Sequence, residues 1–147
     1  MPQKIMQSLL PALMLVSSGA IAGDILIDLD GRRDNAPIYL ALVAADQPDW
    51  DGQILRQAQG DGDELRLRDV PPGRYAVQLF QDLDGDGALA LSPRGIPQEP
   101  VGFSNNPSLL RGKPTPARCR FEHGSDDSLI EIRLHAPRRK ATVQAAS

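Results

Sequence analysis

Beyond its first 22 residues the chain places apolar side chains at every second position, a period of two that predicts strands and not helices. Ile25, Ile27 and Leu29 alternate with Asp28 and Asp30, giving a first strand. Ile38-Tyr39-Leu40-Ala41-Leu42-Val43 is a near-continuous apolar run of the kind a central strand carries. Leu65 and Leu67 alternate with Arg66 and Arg68, and residues 75–82 form the clearest strand of all. Residues 117–122 and 129–134 supply the last two, joined by a hairpin-like connection at Gly124-Ser125-Asp126-Asp127. Between the second and third strands, Pro48, Asp49 and Asp51-Gly52 predict that residues 47–59 are a loop, with Trp50 folded onto the core edge. The pattern predicts an all-β chain, an antiparallel β-sandwich of about seven short strands with one long ordered loop.

The first residues obey a different rule. Lys4 is the only charged side chain before residue 24, an apolar stretch runs from Ile5 to Val16, and Ala20-Ile21-Ala22 is a small-x-small triplet. This is the layout of a signal peptide over residues 1–22, which predicts an exported, periplasmic or secreted, mature chain. Pro11 and Ser17-Ser18 leave the apolar run short of the ~20 residues that span a bilayer, and no later segment is apolar enough to cross one. Residues 23–136 are then one domain, and the charged, small-residue stretch 137–147 is expected to be a disordered tail.

Cys119 is the sole cysteine, so no intrachain disulfide supports the fold. Its alternation with Arg118 and Arg120 predicts a buried strand cysteine and not a reactive thiol. Loss of Lys4 takes the net charge from −3 to −4, which argues against nucleic acid as a partner.

The turn Pro71-Pro72-Gly73-Arg74-Tyr75 has a structural logic. Gly73 is expected to take a positive φ, and the Tyr75 hydroxyl to reach a backbone group across the turn while its ring is buried.

Candidate chemistry begins where the clearest strand ends. Asp82, Asp84 and Asp86 hold positions 1, 3 and 5 of a D-x-D-x-D-G run closed by Gly87. In calcium loops this spacing turns three carboxylates inward, the carbonyl of the next residue, here Ala88, adds an oxygen, and Leu89 packs as an anchor. The helix–loop–helix form does not apply, because the position of the closing Glu is Pro93. Glu99 is the nearest later acid and closes a site only if the chain doubles back. A Ca2+ site and a solvated acidic turn both fit this pattern.

The stretch that follows, 95–106, contains Gly95, Ile96, Pro97, Glu99, Gly102, Phe103, Ser104, Asn105 and Asn106 and is a candidate recognition surface. Ile96 and Phe103 are expected to pin it to the sandwich. Pro97 and Pro100 limit its freedom when unfolded, and Asn105 and Asn106 suit turn conformations and cap backbone groups.

Three segments together resemble a bacterial family known as domain of unknown function 2141. They are Pro72-Gly73-Arg74-Tyr75-Ala76-Val77, Asp82-Leu83-Asp84-Gly85-Asp86-Gly87-Ala88-Leu89, and the run from Gly95-Ile96-Pro97 to Phe103-Ser104-Asn105-Asn106. The resemblance implies a small exported β-sandwich of the transthyretin-like or Ig-like kind, related to carboxypeptidase-regulatory-like modules, with no assigned activity. Members tend to carry Asn at the second and third acidic positions, and Asp and Asn where this chain has Ala90 and Ser92. Ala90 thus removes one carboxylate, and Val101 replaces a common aromatic.

Three function classes follow. The leading one is a non-catalytic binding or accessory domain whose calcium-ordered loop presents residues 95–106 to an envelope protein, a peptide or a glycan. A structural module of an envelope assembly needs no ligand. A hydrolase needs Glu99 or Asp82 as acid or base with His123 or His135 in support, and nothing in the sequence brings these together. Ser104 lies outside any G-x-S-x-G elbow, and one Cys with two distant His is no zinc set.

Overall fold

Alternation selects the inward side chains, and the chain folds so that two sets of them meet. The computed structural model describes residues 21–137. The signal-peptide reading, apart from its last two residues, and the tail reading beyond Pro137 fall outside that range. The described residues form eight strands: β1 (Gly23–Asp30), β2 (Ile38–Ala44), β3 (Arg56–Gly60), β4 (Glu64–Val70), β5 (Gly73–Gln81), β6 (Val101–Phe103), β7 (Phe121–His123) and β8 (Ser128–Arg133). One sheet has the order β4-β1-β8. The other runs β3-β2-β5-β6, with β7 also paired to β5. Ile25, Ile27 and Leu29 of the first sheet pack against Ile38, Leu40, Leu42, Val77 and Leu79 of the second.

The architecture is the expected sandwich, with differences that have physical causes. β8 pairs with β1 in parallel, from Ile25↔Ser128 to Asp30↔Arg133, so the fold is not wholly antiparallel. Alternation fixes which face a side chain takes but not the direction of a strand. Residues 124–127 are therefore not a hairpin turn but a crossing from one sheet to the other. Asp127 secures the crossing by accepting the Asp24 amide at 2.8 Å.

The predicted loop 47–59 ends in a strand, because β3 pairs with β2 along Arg56–Gly60. Its sequence RQAQG has no apolar alternation; backbone pairing to β2 holds it at the edge, with Ala58 packed on the core and the Arg56 guanidinium donating to the Asp69 carbonyl. Trp50 does close the core edge: it is buried, donates Nε1–H to the Pro114 carbonyl at 2.7 Å, and packs on Phe103. Cys119 is buried, but it lies in a 3₁₀ turn over Pro116–Cys119 and not in a strand. Pro114 and Pro116 lack N–H groups, which favours a tight turn over a ladder. Burial pushes its thiol up to about 12, far from a reactive range.

The Tyr75 hydroxyl donates to the Pro71 carbonyl at 2.6 Å, as the turn sequence predicts. Gly73 is not the left-handed residue of that turn. The left-handed residue nearby is Asp69 of β4, outside the turn, at φ 52° and beside a register shift between β1 and β4. A Cβ at 73 would stand 3.2 Å from the Tyr75 ring, so a larger residue there has to push that ring aside slightly.

A second apolar cluster covers the outer face of the five-stranded sheet. Val43, Ala76, Val101 and Phe103 meet Trp50 and Cys119 there, with Leu89 and Leu109 of the long connections packed against them. β6 packs tightly against β8 at Gly102, where a Cβ would stand 2.7 Å from Ile132 Cγ2 and 3.1 Å from the Arg133 carbonyl. Gly102→Ala is accordingly expected to cost roughly 1–3 kcal/mol in urea unfolding, the usual price of overpacking. An unchanged midpoint would mean that the sheets do not touch at this position.

Candidate acidic loop and its anchors

The connection from β5 to β6, residues 82–100, is built around two buried carboxylates. Gln81 prepares it: the side chain is fully buried, accepts the Arg33 amide at 2.8 Å, and donates to the Arg33 and Ala36 carbonyls. Asp82 follows with 1 % exposure, its amide donating to the Pro37 carbonyl at 2.8 Å. The Asp82 carboxylate accepts the Gly85 amide at 3.1 Å and the Gly87 amide at 2.8 Å. Both glycines are left-handed, at φ 74° and 77°, which lets the chain wind around that carboxylate. Asp84 then accepts the Asp86 amide at 3.2 Å and Asp86 the Ala88 amide at 3.0 Å.

Glu99 closes this connection from the far side. It is 3 % exposed, with Oε2 accepting the amides of Leu83 (2.8 Å) and Asp84 (3.2 Å) and Oε1 that of Ala90 (2.9 Å). The chain does double back, as a closing acid at this position requires, but both Glu99 oxygens are engaged by main-chain N–H groups. Asp82, Asp84 and Asp86 each bring one carboxylate oxygen within 4.8 Å of the others. Asp82 is buried, and Asp84 and Asp86 are exposed. Leu89, the expected anchor, packs against the outer cluster.

Crowding sets the charge of this group. Burial raises the Asp82 carboxyl, but the Gly87 and Gly85 amides and its bond with Asp84 outweigh that and hold it below its ordinary value. At Asp84 the Asp86 amide pulls down, while the neighbouring Asp86 and Asp82 carboxyls and partial burial push it up from an ordinary 3.8 to about 6.

The 95–106 stretch divides into two parts. Residues 90–98 form a small exposed hairpin, with Ser92 N–H donating to the Ile96 carbonyl and Gln98 N–H to that of Ala90, both at 2.8 Å. Gly95 sits at its tip at φ 80°, Pro97 is half-buried, and Ile96 points into solvent at 49 % exposure, so Ile96 does not pin the loop. Glu99, Gly102, Phe103 and Ser104 are buried and form the anchor, not a surface. The reason is that 101–103 is itself a strand on β5. The Ser104 hydroxyl accepts the Val77 amide at 2.9 Å and donates to the Cys119 carbonyl. Asn105 and Asn106 are left-handed, at φ 66° and 43°, and both side chains cap backbone groups.

The two histidines are not brought to these acids by any hydrogen bond among the described residues. His123 is buried, with Nδ1 at 2.6 Å from Ser128 Oγ and Nε2 at 2.9 Å from the Val70 carbonyl. It therefore ties strands together. The His135 backbone pairs with Val101 in both directions, at 2.7 and 3.1 Å. A cleft of about 580 Å³ lies at the opposite end of β5, lined by Ala45, Asp46, Gly73, Arg74, Ala117 and Arg120. Sequence reasoning passed over Gln81, although a polar residue on the inward register of Tyr75, Val77 and Leu79 signals an internal hydrogen-bonding task.

Two outcomes follow from this geometry. Glu99→Gln replaces an acceptor by a donor facing an amide, and is expected to lose roughly 1.5–3 kcal/mol in denaturant unfolding. Asp84 has a folded-state pKa above its unfolded one, so its stabilising contribution is complete below 3.8 and is lost as pH rises through about 6. In calcium-free buffer the melting temperature of the wild type should fall relative to that of Asp84→Asn between about pH 4 and pH 6, and the difference should level off above that. Equal slopes for the two proteins would contradict the crowding.

Comparison with known proteins places the chain. A search of curated proteins found no match. Among solved structures, a pilus-presented adhesin aligns in three crystal structures, one of them a cysteine-to-alanine mutant, each at 12 % sequence identity. The TM-scores are 0.34, 0.35 and 0.33, covering 80 %, 83 % and 79 % of this chain. The chain spans only 28 % of the adhesin's length. The profile of a bacterial family described as "Uncharacterized protein conserved in bacteria" matches residues 30–131, which include both the acidic run and the anchor. The chain belongs to that family, domain of unknown function 2141.

Proposed function

We propose that this chain is an exported, non-catalytic accessory or binding domain whose 82–86 turn takes up Ca2+ and thereby steadies the 90–98 hairpin as a contact surface. The observation that carries the reading is the approach of three carboxylate oxygens, from Asp82, Asp84 and Asp86, to within 4.8 Å of one another. Such a set is all oxygen and no nitrogen or sulfur, which suits a hard cation such as Ca2+ better than zinc. Ala88 can add its carbonyl, as the loop pattern requires. Glu99 links the turn to the hairpin, since one of its oxygens holds Leu83 and Asp84 and the other holds Ala90. The hairpin exposes Leu91 at 55 % and Ile96 at 49 %, apolar area suited to an envelope protein, a peptide or the apolar face of a glycan. No helix of the described residues is long and apolar enough to cross a membrane. Both ring nitrogens of His123 are engaged by Ser128 Oγ and by the Gly23 and Val70 carbonyls, a strand-tying task that supports the non-catalytic reading.

A second reading is favoured by one specific observation. The Asp82, Asp84 and Asp86 carboxylates already accept the amides of Gly85, Gly87, Asp86 and Ala88, so the turn is held without a cation. A structural module of an envelope assembly would need nothing more.

Thermal melts in EDTA and in millimolar calcium, for the wild type and Asp84→Ala, separate the two. A site with a Kd of roughly 0.1–1 mM, filled at about ten times that concentration, stabilises by about 1.4 kcal/mol. The calcium reading expects that upward shift in the wild type and its loss in the variant. Identical melts would leave the structural module standing.

A further inference from the structure

The outer face of the five-stranded sheet is covered only in part. The long connections lie over Val43, Ala76, Val101 and Phe103. Toward β3 the register carries the same face on in two rows, Gln59, Tyr39 and Phe80 in one and Gln57, Ala41 and Gln78 in the other. Gln57 and Gln59 are exposed, and the remaining four are half-buried. Outward positions on the other sheet are mostly charged, as at Asp28 and Asp30, Glu64 and Arg66, and Glu131 and Arg133. The two rows carry no charge at all. They pair aromatic rings with carboxamides instead.

Tyr39 and Phe80 stack across their strands, with ring centroids 5.4 Å apart and planes 17° from parallel. Phe80 on β5 takes one face of the Tyr39 ring, so the other face is turned toward β3, where Gln59 is the cross-strand partner. The hydroxyl end of the ring borders the acidic turn, since a Cβ at Gly87 would stand 3.9 Å from it. The carboxamides of Gln47, Gln81 and Gln98 are bonded to main-chain groups. Among the described residues those of Gln57, Gln59 and Gln78 have no such bond, which leaves three donor–acceptor groups for a ligand.

This chemistry selects its occupant. An ionic partner finds no counter-charge in the two rows, and a protein partner finds only two half-buried rings and Ala41 as apolar area. A strand added at the β3 edge would be held by main-chain groups and would have no use for the outward side chains. A pyranose offers a flat C–H face to an aromatic ring and hydroxyls that donate and accept, as a carboxamide does. We propose that this face binds a neutral saccharide, a chain of equatorially substituted pyranose rings lying over β3 with one ring on the free face of Tyr39 and its hydroxyls bonded to Gln57 and Gln59. The site does not rest on the calcium reading of the acidic turn.

The test is a titration of the 15N-labelled protein with cellohexaose and with chitohexaose, each up to about 5 mM, in EDTA and again in calcium. Amide shifts are expected at Tyr39, Ala41, Gln57 and Gln59 with at least one of the two sugars, equally in both buffers. Tyr39→Ala should weaken that binding roughly tenfold, and Tyr39→Phe by no more than about threefold. Should Tyr39→Ala not fold, the double variant Gln57→Ala/Gln59→Ala, at two exposed positions, should weaken it roughly tenfold. No binding of either sugar, or wild-type affinity in Tyr39→Ala or in the double variant, would overturn the proposal. Shifts confined to the 90–98 hairpin, or present only with calcium, would move the ligand to the acidic loop and equally overturn it. Shifts at Tyr39 that follow protein concentration and not sugar would give the face to a second copy of the chain.

Discussion

In a two-layer sandwich the outer face of each sheet is ordinarily wet, but here Val43, Ala76, Phe80, Val101 and Phe103 lie on the outer side of the five-stranded sheet. Something other than the opposing sheet must exclude water from them. The two long connections, 82–100 and 104–120, answer that need by laying Leu89, Leu109 and Cys119 across the face. β5 is consequently enclosed on both sides, which accounts for the burial of Tyr75, Ala76, Val77 and Leu79 in unbroken succession apart from Gln78. Connections that cover a core cannot behave as loose spacers, so their own polar groups need internal partners.

The partners are anionic. Glu99 and Asp82, both buried, accept five main-chain amides between them, and charged acceptors make the stronger hydrogen bonds. A carboxylate placed there organises the 82–90 segment from within, in the way a metal ion organises a loop from its centre. The exposed carboxylates of Asp84 and Asp86 are a different matter, because they crowd the buried one without being needed to satisfy the backbone to the same degree. Their closeness is the part of the loop that its covering task does not explain. That surplus of charge is why a cation is the natural functional reading.

Much of this was legible in the sequence, and the failures are informative. Strands with apolar alternation, β1, β2, β4, β5 and β8, lay where their periodicity put them, because side-chain burial alone selects them. β3 did not show, since RQAQG is held by backbone bonds to β2 and buries little. β6 did not show because Gly102 interrupts its apolar residues for a steric reason that only the second sheet supplies. The acidic turn could be drawn from spacing, but the task of Glu99 could not, because its three amide partners lie 9 to 16 residues away. Gly95 to Asn106 read as one unit in sequence. In the fold residues 95–98 are largely surface, residues 99–104 are buried, and Asn105 and Asn106 return to the surface.

The parallel pairing of β1 with β8 has a consequence for how the chain reaches this state. β1 is the middle strand of its sheet, yet one of its neighbours is the last strand of the fold, with Ile25 opposite Ser128. Contacts so distant in sequence are paid for in loop entropy before they return anything, so closure of this sheet belongs to the end of folding. His123, which bonds Ser128 as well as the Val70 carbonyl, waits on the same event. A chain delivered from its N-terminus therefore keeps β1 open on one side until its final strand arrives, and remains threadable for as long as that takes.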